Sequence, residues 1–182
     1  MRPLSRFAAL CLLIAAPLMA ADEHRQIENR RLSWTDFRGV PEADKPFDAY
    51  TYWTVHYRYE APVREGDGFR ITVRVWNQLG DRSWVRPHAL RGARSAELLN
   101  HEQGHYTLGL LCALEFKKAA TERRFGPRPQ VEIRDLFDQV LRKYVDLEKT
   151  YDAETQHMRD RAAQRTWDQR LAQMVGERWV ER

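Results

Sequence analysis

The apolar residues of this chain change period once, close to Pro87, and that change limits the fold to strands first and helices after. Before it, "GFRITVRVWNQ" alternates cleanly, with Phe69, Ile71, Val73 and Val75 on one face and Arg70, Thr72 and Arg74 on the other. "DAYTYWTVHYRYE" is rich in aromatic and β-branched residues and alternates roughly. "APVREGDG" between them supplies Pro and Gly turn chemistry, so the two runs are expected to form a hairpin. The aromatic side chains read as one face of a sheet packing on helices rather than as a stacking platform for carbohydrate or peptide. After Pro87, Ser95 is expected to cap a long helix ending at Gly126-Pro127. A second helix is expected from about Val131 to Lys149, with Ile133, Leu136, Phe137, Val140, Leu141 and Tyr144 on one side. "TYDAETQH" then interrupts the pattern with turn-forming residues. A last helix has Met158, Ala162, Trp167, Leu171, Met174 and Val175 as its apolar side and a solvated charged remainder. The expected class is α+β: a small N-terminal antiparallel sheet followed by about three helices, the first helix packed against the sheet.

The first twenty residues are a different object. Arg2 and Arg6 precede the apolar run "FAALCLLIAAPLM", and "LMAAD" offers small residues for cleavage. This reads as a secretory signal, too short for a stable membrane span. The working chain is therefore expected to be residues 21–182, one domain with strands over 21–90 and helices over 91–182. It is expected to be exported to the periplasm or beyond, with no stable membrane span after signal cleavage. The formal net charge of +4 loses the positive charges of Arg2 and Arg6 with the signal, which leaves no support for a nucleic-acid partner. Cys11 leaves too, so Cys112 has no partner for an internal disulfide and reads as a small buried apolar residue.

The chemistry concentrates in "AELLNHEQGHYTLGLL", residues 96–111. Residues i and i+4 share a helix face, so His101 and His105 can point two imidazoles at one ion. Glu102 projects from a neighbouring angle, suited to act as general base on a water rather than as a ligand. This is the H-E-x-x-H arrangement of a zinc hydrolase. Gly104 needs a reason, since mid-helix glycine costs about 1 kcal/mol against alanine, and a close approach of another backbone to that turn would supply one. A catalytic zinc takes three protein ligands and keeps a fourth position open. Leu111 stands where a compact motif would place a third histidine, so that ligand comes from elsewhere. The candidates are His24, His56, His88, His157 and the carboxylates. His157 ranks first, because "YDAETQH" lies between helices that must pack on the first, and Glu154 and Asp152 follow it.

Three segments together resemble a bacterial family of predicted secreted zinc-dependent proteases, long catalogued as a domain of unknown function. They are "LSWTDFRGVP" at residues 32–41, "LLNHEQGHY" on the zinc helix, and "YDAETQH", which matches a Tyr-Asp-x-x-Thr-x-His segment. The resemblance implies His101, His105 and His157 as ligands of one zinc ion and Glu102 as the base. Met158 departs from the family's frequent glycine after the last histidine, where glycine would permit an unusual backbone turn. "LSWTDFRG" reads as architecture packed by Trp34 and Phe37, with Asp36 outside the site.

The expected function is an exported, zincin-like zinc metallopeptidase acting on a peptide or protein, peptidoglycan cross-link peptides included. For Tyr151 two readings compete, an oxyanion donor and a packed tyrosine, and the packed tyrosine is the plainer one. The alternative is a non-catalytic, zinc-stabilised binding or assembly protein of the cell envelope.

Overall fold

The structure is a computed structural model that describes residues 26–180; the expected signal, residues 1–20, and His24 lie outside the described residues. The chain is α+β, with six short strands, two one-turn 3-10 helices and three long helices among the described residues. The strands are β1 (Ala49–Tyr50), β2 (Trp53–Tyr59), β3 (Val63–Glu65), β4 (Gly68–Arg70), β5 (Val73–Leu79) and β6 (Trp84–Val85). The helices are α1 (Ser95–Glu122), α2 (Pro129–Thr155) and α3 (Arg161–Val180).

The expected hairpin is present, built in two stages. Strands β2 and β5 pair antiparallel from Trp53↔Leu79 to Tyr59↔Val73, and β3 pairs β4 from Val63↔Arg70 to Glu65↔Gly68 around a turn at Gly66. Three residues on one side face two on the other between these stages, a bulge that offsets the register by one. The tip is anchored where Phe69 and Phe125 exchange backbone hydrogen bonds of 2.8 and 2.9 Å. The run "DAYTYWTVHYRYE" is not one strand. It breaks at Thr51–Tyr52, so that β1 pairs instead with β6. The break has a local cause: Tyr52 is tied to the Gly80–Ser83 turn, with Gly80 N–H donating to its carbonyl at 2.6 Å and its own N–H to Ser83 Oγ at 2.9 Å.

Helix α1 is the centre of the molecule. Leu108, Leu110, Leu111, Cys112, Ala113 and Phe116 are all fully buried, which places apolar residues on every side of the helix. A helix apolar all round must be covered all round, and it is, by β2 and β5 on one side and α2 and α3 on the other. Each buried leucine contributes about 1.5–3 kcal/mol. The aromatic strand packs on helices as expected: Tyr57 meets the Phe116 and Phe137 rings at 4.9 and 4.8 Å. Gly109 is the close contact with the sheet, since a Cβ there would stand 2.8 Å from the Trp53 indole. Cys112 is buried and free, and burial pushes its thiol up to about 12, so it is an inert core residue.

Several helix boundaries differ from the expected ones: α1 ends at Glu122 rather than at Gly126-Pro127, because Phe125 leaves it to pair with Phe69, α2 starts at Pro129, and α3 starts at Arg161 without Met158. Ser95 is the first residue of α1 rather than its cap; its hydroxyl accepts from the Trp34 indole at 2.9 Å and donates to the Leu90 carbonyl at 3.0 Å. Helix α2 continues through "TYDAET" to Thr155, because the buried stripe Ile133, Leu136, Val140, Tyr144 continues at Tyr151 and Thr155. Thr155 also ties itself to the Tyr151 carbonyl at 2.7 Å. The interruption is confined to residues 156–160, with Gln156, His157 and Met158 in the left-handed region. Helix α3 then starts on Asp160, whose Oδ1 accepts the backbone N–H groups of Ala162 and Ala163 at 2.9 Å.

Candidate metal centre

His101 and His105 lie on the face of α1 turned toward α2, both buried. Each ring is held from behind. His101 Nδ1 donates to Gln164 Oε1 of α3 at 3.0 Å, and His105 Nδ1 donates to Glu148 Oε1 of α2 at 2.9 Å. A proton fixed on Nδ1 leaves Nε2 as the available ligand atom, and this is how metal-binding histidines are commonly oriented. The two Nε2 atoms are 3.3 Å apart. Gln164 is itself fixed, its amide nitrogen donating to Tyr151 Oη at 2.8 Å and to Asp168 Oδ1 at 2.9 Å. Glu148 also accepts from the Trp53 indole at 2.9 Å, which links His105 to the sheet.

Asp152 brings the remaining donors together. Its Oδ1 lies 3.1 Å from His101 Nε2, 3.1 Å from His105 Nε2 and 3.3 Å from His157 Nδ1. Ligand atoms on a tetrahedron of 2.0–2.1 Å bonds are about 3.3–3.4 Å apart. The imidazole and carboxylate donors therefore fit a transition-metal ion in type and in spacing. His101, Asp152 and His157 form a candidate metal-binding site, their ligand atoms all within 4.8 Å of one another. Burial alone would raise the Asp152 carboxyl, but the His101 and His105 rings outweigh it and hold it well below the usual carboxylate range. For His105 burial works downward, and the carboxylates of Asp152 and Glu148 overcome it, raising the imidazole of the metal-free centre to about 10, so that a bound metal would displace the Nε2 proton.

His157 reaches this point from a turn in which Gln156, His157 and Met158 have φ of 49°, 50° and 66°. All three are in the left-handed region, which disfavours non-glycine residues by roughly 1–2 kcal/mol each. The unusual turn that a glycine would permit is thus adopted with Met158 in its place.

Glu102 is 3% exposed, and its Oε2 accepts from Thr51 Oγ1 at 2.6 Å. It lines a cleft of about 670 Å³ together with His101, His105, Asp152 and His157, with Phe47, Tyr50 and Leu98 among its apolar walls. That volume is in the range of small-molecule and peptide side-chain pockets. Strand β1 runs along the same cleft, with Thr51 just beyond its end.

The other residues singled out in the sequence are elsewhere or differently used. Tyr151 is fully buried behind the histidines, its ring stacked 4.7 Å from His101 and its hydroxyl donated to the His101 carbonyl at 3.0 Å. It is a packed tyrosine and not an oxyanion donor. It also explains Gly104: a Cβ there would come within 2.6 Å of Tyr151 Cζ, so the close approach is a side chain rather than a backbone. Glu154 turns away to accept from the Trp167 indole at 2.8 Å. His88 is exposed on the rim of the cleft, paired with Asp48 at 2.8 Å. His56 stacks on Trp76 across the sheet. Asp36 caps the turn at Ser33 and pairs with Arg30 at 3.0 Å, while Leu32 N–H binds Gln103 Oε1 at 2.7 Å, strapping "LSWTDFRG" to α1. Sequence reasoning missed Glu148, Gln164 and Thr51. Glu148 had a signal, since it stands one helical turn before Asp152 once α2 is continued to Thr155.

The family described as "Bacterial protein of unknown function (DUF922)" matches residues 30–158, a span that contains every donor of the centre. No curated protein and no solved structure matches the chain.

Proposed function

The chain belongs to this bacterial family of unknown function, and we propose that it is an exported zinc-dependent metallopeptidase. The observation that carries the reading is the pairing of an oriented donor set with a buried carboxylate in one cleft. His101 and His105 present Nε2 atoms to the point reached by Asp152 and His157, and Glu102 lines the same space. His101, His105 and His157 would hold the ion, with Asp152 as the competing third ligand. Zinc held there would supply Lewis acidity to a peptide carbonyl and lower the pKa of a water to roughly 7.

The protein's own groups have the following roles. Glu102 takes the proton of the attacking water, and the Thr51 hydroxyl keeps its carboxylate on the cleft wall. Gln164 and Glu148 hold the two imidazoles in the tautomer that leaves Nε2 free. An extended substrate lies along β1, where the backbone edge of Ala49 and Thr51 faces away from the β6 partner and supports strand addition. A peptide or protein, including the peptide cross-links of peptidoglycan, is the substrate class. Export is supported by the character of the first twenty residues, and no helix of the described residues is long and apolar enough to cross a membrane.

A second reading has its own observation. Asp152 Oδ1 stands within 3.1–3.3 Å of three imidazole nitrogens, the spacing of a closed four-ligand site. If Asp152 is a fourth ligand, the metal is structural, and the protein is a zinc-stabilised binding or assembly protein of the cell envelope. Glu102→Gln separates the two. The peptidase reading expects zinc and fold to be retained and hydrolysis of a broad peptide library to be lost. A wild-type protein that holds zinc through four protein ligands and cleaves nothing supports the second reading.

A further inference from the structure

The turn that carries His157 is held from outside the donor cluster by residues with no role so far. Gln156, His157 and Met158 are consecutive left-handed residues without a glycine, a conformation that persists only where its surroundings impose it. The local restraints include His157 N–H donating to the Asp152 carbonyl at 3.0 Å and Asp160 N–H to the Thr155 carbonyl at 2.9 Å, with longer bonds from Gln156 and Arg159 N–H at 3.3 Å. A further restraint crosses from the residue before α1. Arg94 Nη2 donates to the Met158 carbonyl at 2.9 Å, while its Nε donates to Glu97 Oε2 at 2.9 Å. The other oxygen of Glu97 pairs with Arg161 Nη2, at the start of α3, at 2.7 Å. Glu97 thus links Arg94, which holds the Met158 carbonyl, to Arg161, which follows the turn, and Arg94 also lines the cleft.

We propose that Arg94 and Glu97 are positioning residues for the metal centre, a clamp that holds the 156–160 turn so that His157 Nδ1 meets the other donors. An isolated exposed ion pair between these side chains would contribute little. What gives this one a consequence is its second bond, to the backbone carbonyl next to a ligand histidine. The clamp itself rests on geometry alone; its effect on metal binding rests on the zinc reading above.

Two measurements on the full chain test it. The first is amide hydrogen exchange of the metal-free protein. Arg94→Met is expected to speed exchange at His157 and Asp160 by tenfold or more while leaving Leu110 and Leu111 in α1 unchanged. The second is zinc affinity by competition with a chromophoric chelator. Arg94→Met is expected to weaken zinc roughly 10–100-fold, as loss of an outer support typically does, and to approach His157→Ala. Arg94→Lys, which keeps one donor, is expected to recover part of both effects. Unchanged exchange in Arg94→Met overturns the clamp, whether or not zinc binds. Faster exchange with wild-type zinc affinity overturns the positioning role. Absence of zinc binding by the wild type overturns the metal reading and the positioning role together, and the exchange result then decides the clamp by itself.

Discussion

Gly104 sits in the middle of the H-E-x-x-H turn, where alanine would be the better helix former by about 1 kcal/mol. Tyr151 decides the matter, because its ring occupies the space a Cβ would need. Gly104→Ala is therefore expected to destabilise the protein by about 1–3 kcal/mol in urea denaturation, against its helix propensity, since overpacking pushes on the ring stacked against His101. Met158 is the converse case. Its φ of 66° suits glycine, so Met158→Gly should keep or raise the melting temperature, while the β-branched Met158→Val should lower it. The need for a reason at Gly104 was legible in the sequence, and so was the oddity of Met158. The neighbours that supply the reasons were not, because Tyr151 and Arg94 come from distant parts of the chain and no local pattern ties them to these sites.

At the scale of elements, α1 was legible because an apolar run on every side of a helix and a motif with fixed spacing both lie within it. The end of α2 was not. Acidic and hydroxyl residues in "TYDAET" favour turns locally, yet Tyr151 and Thr155 extend a buried stripe, and tertiary burial overrides the local preference. Reading that segment as a break hid Glu148 and Asp152 as a pair one turn apart on the face toward α1. The helices also meet at a polar junction away from the candidate metal centre. Glu115 of α1 accepts from Lys143 Nζ at 2.7 Å and Tyr144 Oη at 2.8 Å on α2, and from Arg178 Nη2 at 3.3 Å on α3. Burial pushes the Glu115 carboxyl up, but these donors outweigh it and hold it below the usual glutamate value of 4.5. A lowered carboxyl stabilises the fold at neutral pH, and that contribution is lost as pH falls below the ordinary value and through the folded one. Glu115→Gln should therefore be less stable than wild type at pH 7, and the gap should narrow as pH falls below the ordinary glutamate value of 4.5. Urea denaturation at pH 7 and in acid checks this; a gap that widens in acid would contradict it.

For the whole molecule, the division into a strand half and a helix half followed from one change of hydrophobic period, and it positions the site. Thr51, just beyond β1, meets α1 at Glu102, α2 brings Glu148 and Asp152, α3 brings Gln164, and the turn between α2 and α3 brings His157. The pairing of β1 with β6 was illegible because a continuous aromatic run concealed the break at Tyr52. Without that break the cleft would have no edge strand beside Glu102. The proposed function requires these elements to converge on one ion, and X-ray absorption at the zinc edge of the zinc-loaded protein tests that most directly. It predicts one zinc per chain with three imidazole nitrogens at about 2.0–2.1 Å and at least one further oxygen. A zinc surrounded by oxygen alone, or a protein that takes up no stoichiometric zinc, would contradict it.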